Sequence, residues 1–201
     1  MIAIIDYGAG NMKSVENALL FLGQPVQVSA DPKVILAADK VILPGVGAFG
    51  SAIEKLRKSQ LDKVIEAVVL QQKPLLGICL GMQMLFESSE EAPGVAGLNV
   101  LQGNVLRFPK RSDYKVPQMG WNALQFPKES RLFAGFAEQS YVYFVHSYYV
   151  QARCLEVVSA TTDYIVDVHA AVEQNNIYGC QFHPEKSSDV GLKLLRNFIN
   201  L

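Results

Sequence analysis

The sequence predicts an α/β fold built around a doubly wound, mainly parallel β-sheet. In the first half of the 201-residue chain, short continuous apolar runs alternate with amphipathic helical segments, and the connections between them are short. Continuous apolar runs are typical of strands covered on both faces, and their alternation with helices is typical of parallel sheets. From Asn99 onward strand-like segments predominate, which predicts antiparallel strands added to the same sheet or to a second sheet packed on it.

The elements of the first half follow from local patterns. Apolar runs predict strands over residues 2–5, 26–28, 40–43 and 74–78. A first helix begins after Asn11, whose side chain suits an N-cap, and ends at Gly23. The clearest helix begins at Ser59, because apolar residues follow the spacing i, i+3, i+4, i+7, i+8: Leu61, Val64, Ile65, Val68 and Val69. A third helix is predicted over residues 80–87.

The second half is predicted to hold strands at residues 100–108, 121–126, 141–150, 155–160 and 177–182. A closing amphipathic helix begins at Ser188 and carries Leu192, Leu195 and Ile199 on one stripe. No repeat, low-complexity segment or linker interrupts the chain, and ~100–200 residues is a usual length for one domain. We therefore expect residues 1–201 to form a single domain.

The composition argues against several classes of function. The chain carries 18 Lys and Arg against 19 Asp and Glu, a net charge of −1, so it lacks the basic surface of a nucleic-acid or membrane-surface binder. No apolar run reaches the ~18–20 residues of a membrane span, and the first residues lack the basic region of a signal peptide. Three cysteines, an odd number, argue against a secreted disulfide framework. We expect a cytoplasmic protein.

The strongest local motif is Gly-Ile-Cys-Leu-Gly at residues 77–81, which follows a predicted strand and precedes a predicted helix. It has the G-x-S-x-G form of a nucleophile elbow, with Cys79 in place of Ser. The sharp turn forces the nucleophile into a strained backbone conformation, and glycines on both sides remove Cβ clashes. The thiol then lies at a helix N-terminus, where the helix dipole favours a thiolate. Cys154 and Cys180 lack this setting and are predicted to be core thiols.

A thiolate nucleophile needs a base that can also return a proton, and His is the usual choice. His183 follows a strand-like segment, and Glu185 lies two residues further on, which in an extended segment places both side chains on one side. Glu185 is therefore predicted to orient His183. His169 and His146 have weaker settings, since neither combines a strand end with such a carboxylate. Cys180 and His183 could form half of a metal site, but no second ligand pair accompanies them, so no metal is expected.

Residues 45–50, Gly-Val-Gly-Ala-Phe-Gly, form a literal G-x-G-x-x-G after a strand, a pattern typical of a dinucleotide-binding turn. The loop follows the third strand rather than the first, and no ribose-binding acid stands at a strand end ~20 residues further on. We therefore favour another use of the loop. A backbone N–H of Val46 or Gly47 is predicted to donate to an oxyanion, together with the amide of Leu80.

A Cys elbow followed at a distance by a strand-end His-x-Glu resembles the class I (triad) glutamine amidotransferases, and the resemblance covers essentially the whole chain. The stretches that carry it are residues 6–11, 43–49, 77–83, 117–122, 144–148 and 179–187. Two of them, Pro-Gly-Val-Gly within residues 43–49 and Pro-x-Met-Gly-Trp-Asn at residues 117–122, resemble the glutaminase subunits of histidine biosynthesis. Gln118 stands where His is more usual, outside the triad.

The resemblance implies a flavodoxin-like fold and hydrolysis of L-glutamine to glutamate and ammonia without a cofactor. It implies as partner a (β/α)8-barrel cyclase, which receives the ammonia through a tunnel and forms imidazole glycerol phosphate and aminoimidazole carboxamide ribonucleotide. Cys79 would attack the glutamine amide, His183 would transfer protons and Glu185 would orient it. Five residues are expected to bind glutamine: Gly45, Gln83, Glu91, Ser147 and Tyr148. Four are expected at the cyclase interface: Met119, Trp121, Tyr143 and Lys186.

Other interpretations stay open from the residues alone. A stand-alone cysteine or thioester hydrolase would use the same elbow without a partner, and the glutaminase of vitamin B6 synthesis would share the chemistry with a different synthase. A dinucleotide-binding oxidoreductase would use residues 45–50, and a non-catalytic binding module would keep the fold without using Cys79. Glutamine hydrolysis, NAD(P) binding and dependence on a partner separate these alternatives.

Overall fold

Twelve β-strands and six α-helices make up the computed structural model, which describes residues 1–201. The strands are β1 Ile2–Ile5, β2 Val26–Ser29, β3 Lys40–Leu43, β4 Leu75–Ile78, β5 Ser88–Ser89, β6 Gly103–Arg107, β7 Gln118–Ala123, β8 Tyr141–His146, β9 Tyr148–Ala152, β10 Val158–Tyr164, β11 Val166–Gln174 and β12 Ile177–Cys180. The helices are α1 Met12–Phe21, α2 Pro32–Ala37, α3 Phe49–Lys58, α4 Leu61–Leu70, α5 Leu80–Met84 and α6 Ser188–Ile199. None of these helices combines the length and the apolar character needed to cross a bilayer.

The central sheet has seven strands in the order β2-β1-β3-β4-β12-β11-β10. The strands from β2 to β12 are parallel, while β11 and β10 continue the sheet in antiparallel fashion. Two smaller sheets are separate from it, β5-β6-β9 and the antiparallel pair β7-β8. The order 2-1-3-4 is that of a flavodoxin-like sheet. The predicted parallel core with added antiparallel strands is therefore confirmed, and the second half supplies both an extension of the sheet and separate sheets.

Alternate residues of the central strands pack on opposite faces of the sheet. In β1, Ile2 and Ile4 belong to one apolar core, and Ala3 and Ile5 belong to the other. Helices α1 and α6 bury apolar residues in the first core, and α2, α3 and α4 bury theirs in the second. Both faces of the sheet are covered, which explains why its strands are continuous apolar runs in the sequence.

Ser59 does not begin a helix, contrary to the prediction. It follows α3, and its hydroxyl donates to the carbonyl of Lys55 at 2.9 Å, as a serine at a helix C-terminus can. Gln60 then adopts a left-handed conformation with φ 58°, and α4 begins at Leu61. The apolar stripe of α4 is as predicted, but α2 and α3 are not predicted, because α2 is only six residues long and α3 begins inside the glycine-rich stretch.

Other boundaries also differ from the predictions. The helix predicted over residues 80–87 ends at Met84, and the strand predicted over residues 141–150 is interrupted at Ser147, which separates β8 from β9. The long strand β11 is not predicted, since Asp167 and His169 break its apolar run. These elements are fixed by pairing with distant strands, which a local pattern does not report.

The two cysteines predicted to be core thiols differ from each other. Cys180 ends β12 and is fully buried, which confirms the prediction for it. Cys154 is exposed, so the prediction for it is wrong. It lies in the segment that connects β9 to β10, and connecting segments run over the surface of a protein.

Candidate active site

Cys79 lies between β4 and α5, at the edge of the central sheet where the parallel strands end. Its backbone has φ 53° and ψ −111°, and such a conformation costs a residue with a Cβ on the order of 1–3 kcal/mol. The N–H of Cys79 donates to the carbonyl of Cys180 at 2.7 Å, so the end of β12 helps to hold the turn. The predicted strained turn at this residue is confirmed.

The two glycines of the elbow are required by the close approach of other backbone segments. A Cβ on Gly81 would collide with the carbonyl oxygen of Leu43, and a Cβ on Gly77 would lie 2.8 Å from the backbone nitrogen of Met82. Backbone atoms of β3 and α5 cannot move aside without disturbing the sheet or the helix that holds Cys79. The glycines therefore let strand, turn and helix pack as closely as the elbow needs.

Gly81→Ala is expected to destabilise the fold by about 3 kcal/mol or more, because an overpacked backbone contact relaxes poorly. Thermal unfolding followed by circular dichroism measures the loss. Gly94→Ala is the matched control, since Gly94 has a φ of +83° but open space at its Cβ position, so its cost should stay near 1 kcal/mol, on the order of ordinary left-handed strain. Equal stability of the two variants would contradict the close approach at Gly81.

His183 and Glu185 follow β12 and form a buried pair next to Cys79. Nδ1 of His183 lies 2.8 Å from Oε1 of Glu185, and the two side chains are only 2% and 1% exposed. The backbone of His183 is held on both sides, since its N–H donates to the carbonyl of Tyr143 and its carbonyl accepts from the hydroxyl of Ser187. Because Nδ1 faces Glu185, Nε2 is the ring nitrogen left to serve Cys79.

The surroundings of His183 keep its imidazole charged at neutral pH. Burial lowers its pKa, but the hydrogen bonds and charges of Cys79 and Glu185 outweigh burial and raise the pKa of His183 to about 9. A cationic group beside a cysteine favours the thiolate, the form in which cysteine acts as a nucleophile. The thiol of Cys180 has no such partner, and burial raises its pKa well above the usual range. Of these two cysteines, only Cys79 is placed to react.

Cys79 and His183 line one cavity of about 370 Å³. Ten residues singled out from the sequence line it: Val46, Gly47, Cys79, Leu80, Gln83, Glu91, Ser147, Tyr148, His183 and Lys186. Pro117, Val145 and His146 complete the wall. Gly45 does not line the cavity, because it packs behind the elbow, where a Cβ would lie 2.8 Å from the backbone nitrogen of Gly81.

Gln83 and Gln181 form a buried chain of amide hydrogen bonds that ends at Sγ of Cys79. Nε2 of Gln83 donates to the carbonyl of Tyr148 and to Oε1 of Gln181, both at 2.9 Å. Nε2 of Gln181 donates to Sγ of Cys79 at 3.6 Å. Both amide hydrogens of Gln83 are used within the protein, so its Oε1 is the atom left to contact a substrate. The sequence prediction omits Gln181, although the i, i+2 rule applied backwards from His183 would have found it.

Glu91 lines the cavity and also caps α3. Its Oε2 accepts from the N–H of Phe49, the first residue of α3, at 2.8 Å. A pyrophosphate in a dinucleotide-binding turn occupies this kind of helix N-terminus, and here a carboxylate of the protein is bound to it. The geometry of residues 45–50 therefore disfavours a dinucleotide site, and it leaves an acidic group on the cavity wall.

The two other histidines are not arranged as bases. His146 lines the cavity, but burial lowers its pKa to about 4, and its Nδ1 lies 2.8 Å from the carbonyl of Tyr148 rather than near a carboxylate. His169 lies outside the cavity, and its Nδ1 accepts from the N–H of Ala152. Of the three histidines, only His183 lies beside both Cys79 and a buried carboxylate.

An exposed apolar face of the β7–β8 pair borders the cavity. Met119 is 64% exposed and Trp121 is 49% exposed. The ring of Trp121 meets that of Tyr143, its cross-strand partner, edge to face with centroids 6.1 Å apart. Val145 lies opposite Met119 and lines the cavity, as does the exposed Lys186. Exposed aromatic and Met side chains in one patch are typical of a protein–protein interface.

The fold and the Cys-His-Glu site define a class of protein, the triad glutamine amidotransferases, and the family model "Glutamine amidotransferase class-I" matches residues 3–201. Two similar relatives are both described as "Imidazole glycerol phosphate synthase subunit HisH". The relative from Methanothermobacter thermautotrophicus is 50% identical over 201 residues, 100% of this chain and 98% of its own length. The relative from Moorella thermoacetica is 51% identical over 197 residues, 98% and 93% of the two chains. The chain belongs to the class I glutamine amidotransferases and, within them, to the HisH subunits of imidazole glycerol phosphate synthase.

Two solved structures are similar in fold. "Crystal structure of glutamine amidotransferase" matches with a TM-score of 0.78 and 19% identity, covering 100% of this chain and 98% of that chain. "Structure of PurLQS from Thermotoga maritima" matches with a TM-score of 0.76 and 19% identity, covering 99% of this chain and 97% of that chain. At these identities the likeness concerns the fold.

Proposed function

We propose that this chain is a glutaminase subunit, which hydrolyses L-glutamine to glutamate and ammonia through a thioester on Cys79. The observation that carries the proposal is a strained Cys79 beside a buried His183–Glu185 pair in one cavity. A nucleophile, a base and a carboxylate that orients the base form the arrangement of covalent acyl transfer. We also propose that residues 1–201 act as one amidotransferase domain, which the family match over residues 3–201 supports.

The reaction uses the Cys79 thiolate and the His183 imidazolium in turn. The thiolate attacks the carbonyl carbon of the glutamine side-chain amide, and His183 donates its proton to the departing nitrogen, so that ammonia leaves as the thioester forms. The neutral His183 then takes a proton from water, whose oxygen attacks the thioester and releases glutamate and the thiolate. Glu185 holds the proton on Nδ1 throughout, so Nε2 is the nitrogen that exchanges protons.

The negative oxygen of each tetrahedral intermediate needs hydrogen-bond donors. Leu80 is the first residue of α5 and lines the cavity, so its N–H is free of helical hydrogen bonding and serves as one donor. The second donor that we propose is a peptide N–H of the Val46–Gly47 loop. Gly47 has a φ of +97° and nothing within 4 Å of its Cβ position, so this peptide has room to turn. A turn that adds or removes one such donor changes the rate on the order of 10²–10³-fold.

The cavity wall supplies groups that suit glutamine. Glu91 is the one carboxylate among the lining residues, and we propose that it binds the α-ammonium group of the substrate. Oε1 of Gln83 is free to accept a further hydrogen bond, while Ser147 and Tyr148 form the adjoining wall. Gly45 acts behind this wall by letting the loop approach the elbow.

We propose that the ammonia passes to a (β/α)8-barrel cyclase, which makes imidazole glycerol phosphate and aminoimidazole carboxamide ribonucleotide in histidine biosynthesis. Relatives at about half identity over the whole chain support this partner over the synthase of vitamin B6. The docking surface that we propose includes Met119, Trp121, Tyr143 and Lys186, because it borders the cavity from which ammonia leaves. Three free cysteines suit the reducing cytoplasm, which we propose as the compartment.

The test is glutamine hydrolysis by the chain alone, by the chain with the cyclase, and by the chain with the cyclase and its nucleotide ligand. We expect the chain alone to hydrolyse glutamine very slowly, and the full mixture to hydrolyse it faster on the order of 10²–10³-fold. The reason is that binding of the ligand turns the Val46–Gly47 peptide and completes the oxyanion site. Substantial turnover by the chain alone would contradict an activated subunit and support a stand-alone hydrolase. Measurable affinity for NAD(P) would instead support the dinucleotide interpretation.

A further inference from the structure

We infer that Gln181 is a catalytic residue whose side-chain amide donates a hydrogen bond to the Cys79 thiolate and holds the sulfur in its reactive position. The inference rests on the proposed role of Cys79 as the nucleophile. It adds to the triad a second donor on the reacting sulfur, besides the imidazolium of His183. Gln181 lies two residues before His183, just after β12, and is fully buried.

The contact is direct and shielded from water. Nε2 of Gln181 lies 3.6 Å from Sγ of Cys79, within hydrogen-bond reach of a sulfur acceptor. The backbone places the two side chains together, because the N–H of Cys79 donates to the carbonyl of Cys180 and the N–H of Gln181 donates to the carbonyl of Ala170. A hydrogen bond to a charged atom in a dry site is stronger than the same bond in water.

The orientation of the Gln181 amide follows from its partners. The carbonyl of Tyr148 can only accept, so the atom of Gln83 that faces it at 2.9 Å must be the amide nitrogen. The second hydrogen of that nitrogen points to Gln181, which must therefore present its oxygen, again at 2.9 Å. With its oxygen occupied, Gln181 turns its NH2 group to the sulfur. A backbone carbonyl thus sets the polarity of this chain of hydrogen bonds, and Gln83 acts as the positioning residue.

The chemical role follows from the proton transfers of the reaction. A donor that never gives up its proton can stabilise the negative sulfur before it attacks the amide and again as the thiolate leaves the thioester, the two points at which the sulfur carries charge. The amide also restricts the position of Sγ, because it is fixed by Gln83 and lies 3.6 Å from the sulfur. Loss of this donor should reduce the reactivity of the resting thiol, whether or not glutamine is present.

Alkylation of the resting thiol by iodoacetamide tests the inference. The measurement uses the full chain with Cys154→Ser, which removes the exposed thiol, and mass spectrometry to assign the label to Cys79. Gln181→Met keeps the length and apolar body of the side chain and removes the donor.

Gln83→Glu leaves Gln181 in place but removes the donor that fixes its amide, so that Gln181 turns its NH2 away from the sulfur. Gln118→Met is the matched control, since Gln118 is equally buried and its amide donates to Asn122 rather than to Cys79.

Gln181→Met and Gln83→Glu are expected to slow alkylation at neutral pH by ~10-fold, the low end for a lost hydrogen bond to a charged group. The pH profile of alkylation should move to higher pH in both variants, while Gln118→Met follows the parent. A role in packing alone predicts the opposite, since a loosened site exposes the thiol and speeds alkylation. A parental or faster rate in either folded variant, checked by circular dichroism, would overturn the inference. If the Gln181→Met chain does not fold, the alkylation rate of the Gln83→Glu chain tests the inference by itself. Failure of the proposed function would appear elsewhere, as glutamine hydrolysis that survives Cys79→Ala.

Discussion

Cys79→Ala is expected to abolish glutamine-dependent synthesis by the assembled subunits, with a loss on the order of 10⁵–10⁶-fold, the scale seen when a triad nucleophile is removed. Synthesis from added ammonia should stay near the wild-type rate. The thioester forms on Sγ of Cys79, whereas added ammonia enters after that step and needs only the cyclase. Formation of imidazole glycerol phosphate, followed with glutamine and then with an ammonium salt as nitrogen source, measures both reactions.

Cys180→Ala is the matched control for this prediction. Cys180 lies next to the nucleophile in the structure and is fully buried, but its thiol stays protonated because burial raises its pKa. Its contact with Cys79 is made by the backbone carbonyl, which the substitution keeps. Glutamine-dependent synthesis should therefore survive in the Cys180→Ala chain. If the Cys79→Ala chain loses synthesis from glutamine and also from ammonia, Cys79 supports the fold or the assembly rather than the proposed thioester.

The proposed triad can be predicted from sequence because each part of it is local. The elbow needs glycines on either side of Cys79, and these appear as a five-residue pattern between a strand and a helix. Glu185 reaches His183 because the two are i, i+2 in an extended segment, so their contact requires no knowledge of the rest of the chain. The meeting of the two motifs needs only that β4 and β12 are neighbouring parallel strands that end at the same edge.

The remaining features depend on contacts between distant residues, which no local pattern encodes. The amide of Gln181 faces Cys79 because of the carbonyl of Tyr148, far away in sequence. The carboxylate of Glu91 caps a helix whose start lies 42 residues earlier, so neither partner alone indicates the contact. Cys154 resembles a core residue only until the path of its loop over the surface is known. Fold class, chemistry and most residues of the cavity wall were accessible from sequence, whereas the hydrogen bonds that orient the polar side chains of that wall were not.

Glu185→Gln is expected to lower glutamine turnover on the order of 10²–10⁴-fold, the scale for removal of the carboxylate that orients a triad histidine. Oε1 of Glu185 faces Nδ1 of His183, while its Oε2 is buried without a hydrogen-bond partner. An amide at this position can turn its NH2 group toward Nδ1 of His183 and donate a hydrogen bond to it. Nδ1 then carries no proton, so the single proton of the neutral imidazole lies on Nε2. In that tautomer His183 cannot take a proton from water. The ratio kcat/KM with glutamine, in the presence of the cyclase and its ligand, measures the effect, and a wild-type ratio would contradict the orienting role.

The same substitution should change how stability depends on pH. The pKa of His183 is raised to about 9 in the folded chain from 6.5, so the folded state binds more protons between these values. The stabilisation is complete below about pH 6.5 and is lost as pH rises through about 9, an effect of about 3 kcal/mol. Removing the Glu185 charge lowers the pKa of His183 toward its usual value and reduces the stability that is lost at high pH.

Urea unfolding at about pH 6 and about pH 9.5 gives the free energy of unfolding of the wild-type and Glu185→Gln chains at each pH. The comparison isolates His183, because every other titrating group is common to both chains. An equal loss in both would show that Glu185 does not hold His183 in its charged form, and the proton donated to ammonia would then need another source of stabilisation.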